Sequence, residues 1–62
     1  MVVSAVVDFV RTIPATNIEA AIIATKALAR SDASVVRVKT TRRVEHPGPG
    51  LIRVTLAVEI DS

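Results

Sequence analysis

Sixty-two residues allow a single domain, 1–62, with a modest core. There is no cysteine and one histidine, His46, which excludes disulfides, thiolate metal sites and a zinc site built on that histidine alone. Formal net charge is +2, from eight Lys/Arg against six Asp/Glu, too small an excess to argue for nucleic acid by itself. Residues 2–13 read as a strand: Val3, Ala5, Val7, Phe9 and Ile13 share one parity, with Arg11 the exception. The other parity, Val2, Ser4, Val6, Asp8, Val10 and Thr12, is half apolar. Such a strand suits cover on both faces, and Asp8 then needs a partner. Pro14 ends it, because proline removes a ladder donor.

Thr16 to Glu19 spells T-x-x-E, the pattern of a capping box, which predicts Thr16 as the N-cap. A helix is predicted over residues 17–30, NIEAAIIATKALAR. On a wheel of about 100° per residue, Glu19, Lys26 and Arg30 form one narrow polar arc. Ile18, Ala21, Ile22, Thr25, Leu28 and Ala29 form a broad arc suited to a sheet. Ala20, Ile23, Ala24 and Ala27 make a third, small and apolar surface, expected to contact another copy of the chain.

Strand two is expected over 35–46. Val36, Val38, Thr40 and Val44 point inward with Arg42 and His46; Val35, Arg37, Lys39, Thr41, Arg43 and Glu45 point outward. PGPG at 47–50 is a turn signal. Strand three alternates most cleanly, with Ile52, Val54, Leu56, Val58 and Ile60 inward and Arg53, Thr55, Ala57, Glu59 and Asp61 outward. Charge predicts the hairpin register: Glu45 opposite Arg53, Lys39 opposite Glu59 and Arg37 opposite Asp61, around a loop of about five residues. The expected fold class is α+β, in the order β-α-β-β. One helix packs on a three-stranded, mainly antiparallel sheet.

In this arrangement the chain resembles the dodecins, small β-α-β-β proteins that assemble as hollow dodecamers and bind flavins. The closing strand IRVTLAVEI, the capped helix ending in LAR and the VVRVKTTRR strand carry the resemblance. It implies self-assembly, with a small ligand held at subunit contacts. It also places Val35 where the family stacks its flavin on a tryptophan, and Arg53 where the family has a glutamine. This chain has no tryptophan, valine offers no π face, and arginine donates hydrogen bonds but accepts none. The resemblance therefore implies a dodecin-like scaffold without its usual flavin, or with another ligand.

Arg37, Lys39, Arg42, Arg43 and Arg53 form a basic cluster on the hairpin. It reads either as an anion site, making the 37–43 strand a small basic module for nucleic acid or another polyanion, or as a solvated face balanced by Glu45, Glu59 and Asp61. No aromatic accompanies it, which argues against single-stranded nucleic acid as a partner. Arg11 and Arg42, on apolar parities, are expected at an open sheet end or against a carboxylate or anion. His46 is expected in a turn without chemistry. No catalytic residue and no metal site is read from the sequence, so the chain is expected to be no enzyme.

Val35, Arg37 and Arg53 are the candidate ligand-binding residues. The chain itself is the expected partner, either with a small-molecule or anionic ligand or as a purely structural oligomer subunit with none. The N-terminal run MVVSAVVDFV lacks a basic region and meets Asp8, so a signal peptide is not expected. No run is long enough to span a membrane. Absence of cysteine fits a reducing compartment, and a cytoplasmic location is expected.

Overall fold

The computed structural model describes residues 4–61; the expected start of the first strand at Val2 and Val3 lies outside them. The elements are β1 (Ser4–Pro14), α1 (Ile18–Ser31), β2 (Val35–Gly48) and β3 (Leu51–Asp61). They form one sheet in the order β1-β3-β2, with both pairings antiparallel. The fold is therefore α+β in the β-α-β-β order. β1 and β2 run the same way on either side of β3, and a connection between strands of like direction must cross one face of the sheet. Helix α1 is that crossover.

The core lies between α1 and β3. Ile52, Val54, Leu56 and Val58, on one parity of the central strand, are all but fully buried, and Phe9 of β1 joins them. Each such side chain contributes about 1.5–3 kcal/mol by its removal from water. From the helix come Ala21, Thr25 and Ala29, spaced four apart on one line and fully buried. Side chains this small let the helix lie close to the strand. The Thr25 hydroxyl, the one buried polar group among the described residues, donates to the Ala21 carbonyl at 2.8 Å.

This core is thin. The Cα radius of gyration is 12.2 Å, against about 11 Å for a compact chain of this length, and the extents are 45 × 17 × 13 Å. One layer of helix half-covers one layer of sheet. Among the described residues, no helix or second sheet covers the other sheet face.

Several expectations are corrected. The N-cap is Asn17, not Thr16: Asn17 is extended (φ −122°, ψ 124°), and its side-chain oxygen accepts from the amides of Glu19 at 2.8 Å and Ala20 at 3.3 Å. The short Asn side chain reaches the N2 and N3 amides of a helix that starts at Ile18, so no capping box is needed. Ile18 and Leu28, expected against the sheet, are half-exposed. The hairpin turn is two residues, Pro49 and Gly50, with Gly48 opposite Leu51, not a loop of about five. Gly50 has φ +70°, which suits the third position of a type II turn with proline before it.

The largest correction concerns β2. Glu45 does lie opposite Arg53, but Arg37 faces Glu59, and neither Lys39–Glu59 nor Arg37–Asp61 is a pair. The register shifts between Val35 and Arg37, Val38 and Thr40, Thr41 and Arg43, and Glu45 and Gly48. Each shift inserts residues that have no partner on β3, as in a β-bulge. The helix-side residues of β2 are consequently Val35, Val38, Thr41 and Val44, opposite Ile60, Val58, Leu56 and Val54. Val36, expected inward, is 60% exposed, while Val35, expected outward, packs against the core. Thr40, Arg42 and His46, also expected inward, are exposed.

Candidate ligand and subunit-contact surfaces

The open face of the sheet, away from α1, carries Val6, Asp8 and Val10 from β1 opposite Glu59, Ala57 and Thr55 from β3. The shift between Thr41 and Arg43 turns Arg42 onto this face. There its Nε lies 3.3 Å from an Asp8 carboxylate oxygen, with both side chains about half-exposed. The sequence left Asp8 needing a partner and Arg42 either at an open sheet end or against a carboxylate or anion, and the two meet each other across β3. The pair spans the central strand near Ala57, which is 3% exposed although it points away from the helix. With Val10, Arg43 and Thr55 it borders an open recess of about 470 Å³.

A second recess, of about 300 Å³, lies at the start of β2 and is lined by Arg30, Val35, Val36, Arg37 and Val38. Three valines and two arginines contribute to its lining. Val35 and Arg37, two of the sequence-derived ligand residues, thus fall in one place. Arg53 does not. It lies six residues from Glu59, the partner of Arg37, along β3, roughly 20 Å at the rise of a strand. Arg30, at the end of α1, is the residue that sequence reasoning left out. Its position in the last helical turn, five residues before the start of β2, was the available signal.

The basic cluster is dispersed and partly balanced. Arg37 faces Glu59, Arg53 faces Glu45, and Arg42 meets Asp8. Arg43 lies opposite Thr55, and Lys39 falls in a register shift. Arg11 is exposed, with its guanidinium carbon 4.1 Å from the Phe9 ring centroid, a cation–π contact, and its Nη1 donates to the Val10 carbonyl at 2.7 Å. His46 is exposed near the end of β2. Among the described residues, no three His, Cys, Asp or Glu side chains are grouped to hold a metal ion.

The third helix surface stands clear of the sheet. Ile23 is 65% exposed, Ala20 and Ala27 are exposed, and Ala24 is partly buried. Leu28 adjoins Ala24 on the wheel and enlarges this surface. At Asp32, the hydroxyl of Ser34 and then its amide hold the carboxyl below the ordinary carboxylate range, with a smaller contribution from Arg11. Among the described residues, no helix is long and apolar enough to cross a membrane. Comparison with protein-family models, curated proteins and solved structures finds no match.

Proposed function

We propose that the protein is a non-enzymatic, dodecin-like protomer. It assembles with copies of itself in the cytoplasm and holds a small anionic ligand at a subunit contact. The observation that carries this reading is the amount of large apolar surface left wet: Val6, Val7, Val10, Ile18, Ile23, Leu28 and Val36 all stand a third or more exposed on a thin, elongated chain. An apolar surface spread over both layers of so small a domain suits burial against sister copies.

The recess at Arg30, Val35 and Arg37 supports the ligand half of the proposal. The valines would contact an apolar body, and Arg30 and Arg37 would each offer donors to a carboxylate or phosphate. A flat ring would gain contact area there but no aromatic stacking. Arg42 and Arg53 stand against the acids Asp8 and Glu45, which weakens the reading of the hairpin as a polyanion site.

Mass under native conditions tests the assembly. A multiple of the chain mass at micromolar concentration is expected, with a value near twelve copies in the dodecin-like form; a stable single chain overturns the proposal. Titration with riboflavin and FMN tests the ligand class. Saturable binding of FMN that is lost in Arg37→Ala supports the anion site, and absence of both flavins at tens of micromolar removes the flavin from it. Ala24→Glu is expected to dissociate the assembly if the small helix face is a contact.

A further inference from the structure

We propose that β1 joins two copies of the chain edge to edge, pairing antiparallel with itself across a two-fold axis at Val10. The proposal rests on self-assembly of the chain and names the strand that carries it.

Among the described residues, the backbone of β1 has one side without a strand partner. Ser4–Pro14 pairs with β3 one residue to one, without a shift, and the Ala15 amide continues that ladder by donating to the Gly50 carbonyl at 3.0 Å. In an antiparallel ladder the bonds to one neighbour come from alternate residues. Ala5, Val7, Phe9, Arg11 and Ile13, which share the parity of Ala15, therefore bond β3. Val6, Asp8, Val10 and Thr12 direct their amides and carbonyls to the open edge. Two further facts agree. The Val10 carbonyl accepts from the Arg11 guanidinium, as an oxygen outside the ladder can. Pro14 has the outward parity, so its missing donor falls on the edge side, where proline is tolerated.

The opposite edge of the sheet is protected. β2 shifts register four times, with the cations Lys39 and Arg42 at two of the shifts, and bulges and charges of this kind obstruct strand addition. β1 has no shift and three half-exposed valines. An edge that is straight, apolar and unpaired is a template for another strand.

Charge and side-chain matching select a second β1 and its register. Keeping both helices on one face requires residues of like parity to oppose each other. Registers with Asp8 opposite Asp8 or Arg11 opposite Arg11 set like charges together, and more distant shifts pair fewer residues. Placing Phe9 opposite Phe9 would set Val10 against Asp8 and Val7 against Arg11. Placing Val10 opposite Val10 sets Val7 against Ile13 and Val6 against Pro14, while Asp8 faces the Thr12 hydroxyl and Arg11 faces the Phe9 ring. Among the registers that keep like charges apart, only this last one gives every exposed valine of β1 an apolar partner. The Val10 carbonyl has two acceptor sites, so its bond from Arg11 and a bond across the axis coexist. The product is a continuous six-stranded sheet, with the Asp8–Arg42 pair of each copy undisturbed.

Residue-resolved amide hydrogen exchange on the full chain tests the edge. The amides of Val6, Asp8, Val10 and Thr12 are expected to exchange within about tenfold of those of Val7, Phe9 and Arg11. A chain of native mass greater than one copy whose outward amides exchange as freely as unstructured ones overturns the edge pairing and leaves self-assembly standing. A single-chain mass removes both.

Val10→Cys tests the register in a chain with no other cysteine. Opposed residues of a hydrogen-bonded pair lie about 5.5 Å apart at Cα, within disulfide reach, so mild oxidation is expected to give a covalent dimer. Val6→Cys is expected to give none. Dimer from Val6→Cys but not from Val10→Cys overturns the register.

Discussion

β2 and β3 lie side by side in one ladder, yet they obey different rhythms. β3 alternates strictly: Ile52, Val54, Leu56 and Val58 enter the core and their neighbours face away. In β2 the residues on the helix side come every third position, Val35, Val38, Thr41 and Val44, because a shift comes after each of the first three. The central strand is held on two sides and its register is fixed by the core. The flanking strand is held on one side, so extra residues can be pushed outward at small cost. Position in the sheet, more than composition, decides how strictly a strand keeps its period.

Deletions give the widest contrast. Removing Thr55 from β3 moves every core residue on one side of it to the wrong face. The expected loss exceeds the roughly 3–5 kcal/mol that a core of this size supplies, and far-UV circular dichroism should report an unfolded chain. Removing Lys39 deletes a residue that pairs with nothing on β3. The variant is expected to remain folded, within about 1 kcal/mol of the parent. If both deletions unfold the chain, the shifts are structural necessities and the contrast fails.

Truncations at one rung are the next test. Leu56 and Thr41 are partners across the ladder, but Leu56 is fully buried and Thr41 is exposed. Leu56→Ala is expected to cost about 2–5 kcal/mol in denaturant unfolding, and Thr41→Ala less than about 0.5 kcal/mol. A smaller separation would place the core elsewhere than between α1 and β3.

The same contrast explains what the sequence disclosed. The helix, the three strands and the inward set of β3 were legible, since each rests on a pattern the core enforces. A two-residue period imposed on β2 put Val36, Thr40 and Arg42 inward, and a uniform charge register failed with it. The usable signal was the triplet rhythm of VVR-VKT-TRR-VEH, where the leading residues V, V, T and V mark the helix side. The cap was a contest between neighbours. Thr16 completes a four-residue motif, but Asn17 precedes the first helical residue and its oxygen bonds the helix amides. Of the ligand residues, Val35 and Arg37 share a recess because they are close in sequence. Arg53 was assigned by resemblance, and no contact within one protomer brings it to them.

Smaller in effect is the ion pair that the third shift creates. Arg42 and Asp8 are each about half-exposed, so solvent screens their attraction. A double-mutant cycle with Asp8→Ala and Arg42→Ala is expected to give a coupling of about 0.2–1 kcal/mol, falling with added salt. A coupling that ignores salt would mean that the two side chains act by packing over Ala57 and not by charge.

The smallest effect lies where β2 begins. Asp32 accepts from the Ser34 hydroxyl at 2.7 Å and from the Ser34 amide at 3.0 Å, and these bonds favour its charged form, so the folded state binds the proton less readily than the unfolded one. Linkage then fixes the sign. The contribution is complete above the ordinary carboxylate value near 3.8, and it fades as pH falls through the lower folded value. Asp32→Asn keeps an acceptor for the Ser34 amide but has no charge to lose. The stability difference between parent and variant is therefore expected to be constant from neutral pH down to that range and to shrink below it. Fully exposed groups move stability little, so NMR titration of the Asp32 carboxyl is the sharper measurement. A midpoint at or above the ordinary value would mean that the Ser34 bonds do not persist in solution, and that the entry into β2 is looser than the rest of that strand.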